Sequence, residues 1–323
     1  MVTLKTVARE AGVHVATASA VLNGAGGNTR VSVTTRRRVM AAAKKLSYLP
    51  NESAQRLRSG KSNVVAFLGG DLRNPFFAEL AATLETDLAS RGLQLFVANV
   101  GHSESVSIET TVNSLRQQGV QRIIRWAESP STRSLAALPH TVDLPIGFTT
   151  HDQPGIWLDL EFAIEKIVAH LAGKGFRKFG FYSPGGRKES PSVPIRTKVF
   201  SSQCLSRGLP PPVLACFEGE SWNLDAASVG AEKVIQEHRE IEAWVAFNDI
   251  AGLGLLSRLN RNLTARVICF DGTAMVRRWP DNPPHLDLKI RELSRKAAIS
   301  MANDSVTNAV GTRENWIKPI LIN

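Results

Sequence analysis

The chain has 323 residues, 43% hydrophobic and 21% charged, with a formal net charge of +10. This length predicts two or three domains and this composition a soluble globular protein. No apolar run approaches the roughly 18 residues of a membrane span and no charged-then-apolar leader opens the chain, so a cytoplasmic protein without membrane attachment is expected.

In chain order, Leu4, Val7, Ala8 and Ala11 fall at i, i+3, i+4, i+7, one apolar helix face, with Thr3 before it as N-cap. Gly12 supplies a left-handed turn. A second short helix follows Val13, with Ala18, Val21 and Leu22 inward. Two short helices around a glycine turn form a helix-turn-helix unit, whose second helix enters the DNA major groove N-terminus first. After the loop GAGGNT, Ser32 caps a third helix, Val33 to Leu46, with Val39, Ala42, Ala43 and Leu46 inward. Leu4, Val7, Val21, Leu22, Val39 and Leu46 would make a thin core, so this headpiece is expected to be marginal in stability alone.

Tyr48-Leu49-Pro50-Asn51 ends the third helix, because the residue before proline resists helical backbone. Asn51 can cap a short segment, Glu52 to Arg58, with Ala54 and Leu57 on one face. Two turns are too short to persist unaided, and a partner is expected to order them. Residues 1–62 hold 11 basic and 2 acidic side chains, so nearly all of the +10 resides there. A patterned basic head on a nearly neutral body is an electrostatic footprint of nucleic-acid binding.

The blocks VAREAGVHVATASAVLN, RVSVTTRRRV, YLPN and AQRL, in this order and spacing, resemble the head and hinge of the LacI/GalR (lactose-repressor) family of bacterial transcription regulators. The resemblance implies a helix-turn-helix DNA-binding domain over 1–49 and a hinge helix or linker over 50–62. It places the base-reading positions at Val15, Ala16 and Ala20, which in many relatives are polar; here none can donate a hydrogen bond to a base. Thr17, Ser19 and Asn23 can still reach phosphates or a base edge, and the same blocks bring Arg30, Tyr48, Asn51 and Ala54 to the DNA. His14 replaces the serine usual at the helix N-cap and is a poorer cap. Leu57 is, by resemblance, the wedge that two subunits insert into the minor groove, kinking the duplex. Weak readout by the second helix leaves more to this hinge. Gly60-Lys61-Ser62 is no P-loop, since its leading glycine would fall at Gln55.

From Asn63 the pattern alternates strand and helix: strand VVAFLG, helix Phe76 to Ser90, strand LQLFVAN, helix Ser105 to Gln118 and strand RIIRW. A second series starts near Leu160, with helix Phe162 to Ala172, strand KFGFY, helix Val193 to Arg207, strand VLACF, helix Ala226 to His238, strand AWVAF, helix Ala251 to Leu259 and strand RVICF. This alternation predicts parallel sheets between helices, in two lobes with a cleft. The resemblance extends through NPFFAEL (74–80) and FNDIAGLGLL (247–256). It implies a periplasmic-binding-protein-like α/β core of two Rossmann-like lobes over 63–323, for effector binding and dimerisation. Lobe 1 would span about 63–159 and 290–314, and lobe 2 about 160–289 and 315–323, with crossings near Asp159, Lys289 and Glu314.

Open α/β sheets bind ligands beyond their strand carboxyl ends. The effector contacts that the resemblance carries over are Phe76, Phe77, Asp159, Arg196, Trp222, Asn248 and Asp271. Arginine, asparagine, aspartate and aromatic faces suit a polyhydroxyl, sugar-like ligand. All but Arg196 have a structural alternative: core packing for the phenylalanines and Trp222, an ion pair for Asp159, capping for Asn248 and Asp271. Arg122, Arg125 and the charged stretch Gly185 to Pro194 depart from the family pattern. They could mark an acidic or phosphorylated effector, or be solvated surface.

Cys204, Cys216 and Cys269 lack CxxC spacing and read as buried thiols, neither a disulfide frame nor a metal site. With no metal-spaced His/Cys cluster, no nucleophile elbow and no GxGxxG after a strand, neither an enzyme nor a cofactor is expected. The expected function is a homodimeric, effector-switched repressor on a pseudo-palindromic operator. No heptad tail follows IKPILI, so a coiled-coil tetramer is not expected. The alternative is a small-molecule binding protein with a vestigial head.

Overall fold

The structure, a computed structural model, describes residues 2–22, 31–48, 62–99, 108–127, 142–149, 155–185, 192–259, 261–303 and 316–323. The chain separates into two compact units, Met1–Ser62 and Asn63–Asn323.

In the first unit, α1 (Leu4–Glu10), α2 (Val15–Leu22) and α3 (Val33–Lys45) enclose a core of small residues, among them Val7, Ala8, Ala18, Val21, Val39 and Ala42. Leu4, Leu22 and Leu46 only half-bury at its rim, because alanines bring the helices too close together to admit larger side chains between them. Thr3 and Ser32 accept the N–H of Thr6 and Thr35, satisfying donors that the first turns of α1 and α3 leave free. Gly12 has φ +61°, a region costly for any residue with a Cβ. Arg38 Nη2 donates to its carbonyl at 3.1 Å, tying α3 to the turn.

The second unit contains two parallel sheets. β1 (Val64–Gly69), β2 (Gln94–Asn99), β3 (Arg122–Ala127), β4 (Val142–Thr149) and β5 (Ile156–Asp159) form a sheet of order β2-β1-β3-β4-β5. α4 (Pro75–Ala89) covers one face, burying Leu80, Leu84 and Leu88 against Val65, Phe67 and Ile124. α5 (Ile108–Gln117) covers the other, through Val112 and Leu115 against Ala66, Leu68 and Ile123.

α6 (Leu160–Gly173) opens the second lobe. There β6 (Phe179–Gly185), β7 (Val213–Glu218), β8 (Ala243–Ala246) and β9 (Val267–Ile268) form a sheet of order β7-β6-β8-β9. α6 and α7 (Ser192–Leu205) pack on Phe179, Phe181 and Val245. α8 (Leu224–Glu237) and α9 (Asp249–Leu256) pack on Tyr182, Trp244 and Ala246, the alternate side chains of the same strands. A short helix, α10 (Ala274–Arg277), follows β9.

The chain returns through β10 (His285–Asp287) to α11 (Ile290–Ala302), which packs beside α4 on the first sheet. Ile317 then donates to Trp157 O at 2.8 Å and accepts from Asp159 N at 3.0 Å, alongside β5. β11 (Ile320–Ile322) pairs antiparallel with β10. Chain therefore passes between the lobes at 159–160, at 287–290 and at 317–320. The middle passage contains Lys289 at φ +53°. Glu314 lies outside the described residues.

Two expectations are corrected. Cys216 is exposed: β7 is an edge strand whose alternate side chains face outward. Arg125 is buried and donates to Asp143 Oδ2 at 2.6 Å. Strand alternation sends it to the face of Ile123 and α5, away from Trp126, so it does not contribute a free cation to the cleft. Burial pushes the Asp143 carboxyl above its usual range, and the Arg125 charge opposes that shift.

Candidate DNA-reading surface and interlobe cleft

On α1 and α3 the cations Lys5, Arg9, Arg36, Arg37 and Lys44 are exposed. Lys45 instead pairs with Glu10 at 2.7 Å, joining α3 to α1. Of the three reading positions, Val15 half-buries against the head core, Ala16 is exposed and Ala20 is half-buried. Thr17 and Ser19 are half-buried on α2. Tyr48 packs at the rim of the core after α3. Asn23, Arg30, Asn51, Ala54 and Leu57 lie outside the described residues. His14 does cap α2: its Nδ1 accepts the Ala16 N–H at 3.3 Å, while its carbonyl accepts from Thr17 and Ala18.

In the second unit, aromatic rings line the space between the sheets. Phe76 and Phe77 lie at the start of α4, where Asn74 accepts the Phe76 N–H and Pro75 occupies the first turn. Trp126, at the end of β3, meets both edge-on, with ring centres 4.9 and 5.6 Å away, and meets Phe148 of β4 at 6.1 Å. Phe148 in turn lies 5.7 Å from Phe270, across the lobes. The Arg196 guanidinium of α7 sits over Phe148, Phe247 and Phe270, 4.3–4.8 Å from each centroid, and donates to Phe247 O. Arg196 thus touches both lobes. A cation over several aromatic faces retains part of the stabilisation that water would supply.

Trp222, before α8, lies under the Arg73 guanidinium, 3.8 Å from the ring centroid. Asp71 receives two donors of Arg73 and holds it in that pose. Arg73 follows β1 and Trp222 follows β7, so the stack spans the cleft. The indole N–H groups of Trp126 and Trp222 are buried without a hydrogen-bond partner. A buried donor in that state costs free energy that an acceptor brought by a ligand would recover. Farther out, Glu79 of α4 accepts the Ala274 N–H of α10, and its other oxygen lies 3.4 Å from Arg277 Nη2.

The structure therefore brings Phe76, Phe77 and Arg196 into one aromatic cluster and places Trp222 at a lobe-to-lobe stack. The remaining three expected effector residues are engaged within the chain. Asp159 caps α6 through Phe162 N at 2.9 Å. Asn248 caps α9 through Ala251 N and donates to Ser221 O, using both ends of its amide. Asp271 accepts from Asp249 N at 3.4 Å. The neighbouring Asp249, buried, accepts from the backbone N–H groups of Asp271, Gly272 and Thr273 and from the Thr273 hydroxyl. Burial drives its carboxyl upward, and those four donors oppose the shift.

Trp126, Phe148, Phe247 and Phe270 were not singled out from sequence, although each ends or follows a strand. Arg73 carried no motif, and Glu79, although inside NPFFAEL, was not singled out. Among the described residues no group of His, Cys, Asp or Glu could hold a metal ion. None of the helices described is long and apolar enough to cross a membrane.

A three-helix basic head followed by two parallel-sheet lobes that meet through aromatic rings is a protein of two parts, one suited to DNA and the other to a small molecule. Residues 3–51 match the model of the bacterial regulatory proteins of the lacI family, and residues 168–314 match a periplasmic binding protein-like domain. The maltose regulon regulatory protein MalI of Vibrio furnissii is 36% identical over 119 residues, 37% of this chain and 84% of its own length. MalI of Escherichia coli strain K12 is 28% identical over 261 residues, 78% of this chain and 73% of its own. A crystal structure of the lac repressor dimer, bound to operator and the anti-inducer ONPF, superposes with a TM-score of 0.84 at 21% identity, covering 100% of this chain and 98% of that one. The chain belongs to the lacI family and is a DNA-binding transcriptional regulator.

Proposed function

We infer that the protein is a repressor that binds a pseudo-palindromic operator as a homodimer and is switched by a small sugar-like effector in the interlobe cleft. It acts in the cytoplasm, and its chemistry is binding, with no catalysed reaction and no cofactor. The observation that carries this reading is a chain that joins a concentrated cationic head to a core in which Phe76, Phe77 and Arg196 share one aromatic cluster between the lobes and Trp222 stacks on Arg73. Cations neutralise phosphates and supply affinity. Aromatic faces and a guanidinium suit the apolar face and the hydroxyls of a sugar. The names of its relatives support both halves, through an operator, an anti-inducer and a maltose regulon.

On this reading the two lobes move relative to each other about the passages at 159–160, 287–290 and 317–320. Asp159, Asn248 and Asp271 contribute by holding helix starts at the cleft. Residues 50–62 act as the hinge, with Asn51, Ala54 and Leu57 at the DNA. An effector shifts the balance only by preferring one lobe arrangement.

The test is fluorescence anisotropy with random and palindromic duplexes from low to physiological salt, repeated with maltose and other sugars. Salt-dependent binding, tighter to a palindrome and altered by one sugar class, is expected. Sugar binding by calorimetry with no salt-sensitive binding to any duplex would favour a binding protein with a vestigial head. Leu57→Ala is expected to weaken specific binding more than non-specific binding; equal loss would refute the wedge role.

A further inference from the structure

The second helix of the head lacks the polar readers that its position calls for, yet an operator must be read from base edges. Across Ala11 to Leu22 the exposed residues are Gly12, His14 and Ala16, and the rest are buried or half-buried. Only His14 among those three carries a hydrogen-bonding side chain. It stands immediately before α2, at the end that enters the groove first.

Its orientation is set from within the chain. Nδ1 accepts the Ala16 N–H at 3.3 Å, so the ring is anchored at that nitrogen. An imidazole that accepts at Nδ1 carries its proton on Nε2. Nε2 is one ring atom removed from the anchored nitrogen, and His14 is exposed. A serine cap would spend its single oxygen on the helix; a histidine cap retains a donor, on a longer arm.

We propose that His14 is a base-reading, specificity-determining residue of this regulator. It caps α2 with Nδ1 and donates Nε2–H to a major-groove acceptor, guanine N7 or O6 or thymine O4. Ala16, exposed two residues on, adds a small methyl surface at the same end of α2. The inference rests on the DNA-binding reading of the head and adds the side chain that reads.

The experiment selects preferred duplexes from a randomised pool with the full-length wild-type chain, then measures affinity for the selected site and for each single-base variant at fixed salt. His14→Ala and His14→Asn are measured in parallel. Asparagine is a better N-cap than histidine, so His14→Asn keeps the helix start while removing the ring. Both variants are expected to lose discrimination at one base pair in each half-site, by about 5- to 150-fold, the usual cost of one mismatch. Non-specific affinity and the salt slope should not change. Where the contacted base is guanine, replacing it with 7-deazaguanine should weaken wild type but not His14→Asn if N7 is the acceptor, and an indifferent wild type assigns the acceptor to O6.

A uniform fall across all sequences with a shallower salt slope would mark a phosphate contact and overturn the base-reading role. A wild-type site preference that survives intact in His14→Asn would overturn it too, leaving the DNA-binding reading standing. Wild-type protein that binds no duplex would remove the DNA-binding reading itself.

Discussion

Replacing Glu79 with alanine removes one lobe-to-lobe contact without touching the aromatic cleft. The carboxylate accepts the Ala274 N–H and lies 3.4 Å from Arg277 Nη2, so α4 of the first lobe holds α10 of the second. A hydrogen bond to a charged acceptor contributes about 1.5–3 kcal/mol, and an exposed ion pair about 0.2–1 kcal/mol. The Glu79 side chain is 29% exposed and that of Arg277 47%, so water screens the pair and can replace the acceptor at Ala274. The lower end applies, about 1–2 kcal/mol, equivalent to roughly a 5- to 30-fold shift toward the open arrangement. Single-molecule energy transfer between dyes on the outer faces of the two lobes would read that shift directly. Glu79→Gln keeps an acceptor for Ala274 and loses the charge, and should shift the distribution less. An unchanged distance distribution in Glu79→Ala would refute the idea that this contact holds the lobes together.

Three further outcomes are expected. Gly254→Ala places a methyl 2.7–2.8 Å from the backbone and Cβ of Ala227, where α8 and α9 touch. Overpacking costs about 1–3 kcal/mol against about 1 kcal/mol gained in helix propensity, so calorimetry should show a lowered Tm despite the better helix former.

Arg125→Met leaves Asp143 buried without its partner and should cost about 3–5 kcal/mol in urea denaturation. Adding Asp143→Leu to it should recover most of the loss, and equal stability of the single and double variants would contradict a buried ion pair.

Glu242 accepts the N–H groups of Arg177 and Lys178, which hold its carboxyl below the ordinary range. A depressed carboxyl stabilises the fold fully above its unfolded pKa of about 4.3, and that contribution fades as pH falls through the lower folded value. The urea midpoint of Glu242→Gln should therefore lie below wild type at pH 7 and converge on it as the pH falls below the lowered folded pKa of Glu242.

The cleft was only partly legible from sequence. Phe76 and Phe77 stood out because NPFF follows a strand and begins a helix, and both enter the aromatic cluster. Trp126 and Phe148 did not, since an aromatic at a strand end reads as core until the partner sheet is placed opposite. β4 itself escaped detection: VDLPIGFT contains a proline and a glycine, which argue against a strand with neighbours on both sides. α11 also escaped: its first turn lies within LDLKIREL (286–293), separated from β10 by two residues, so strand and helix run together in the sequence. Asn248 shows the reverse difficulty. The family resemblance suggested a ligand contact with helix capping as the alternative, and the fold brings Ser221 O and Ala251 N to its amide.

Local information alone determined the head, its caps, the left-handed turn at Gly12, the concentration of cations and the alternation of strands and helices. Each depends on neighbours a few residues away or on summed charge, which do not require the chain to be folded. Tertiary structure decided which strand-end aromatics face one another, that Arg125 is neutralised by Asp143, that Arg73 covers Trp222, and that Glu79 reaches Ala274. Those contacts join residues separated by 18 to almost 200 positions. Only the parallel register of the sheets and the repeated crossing of the chain between lobes bring them within reach, and no periodicity along a sequence encodes that distance.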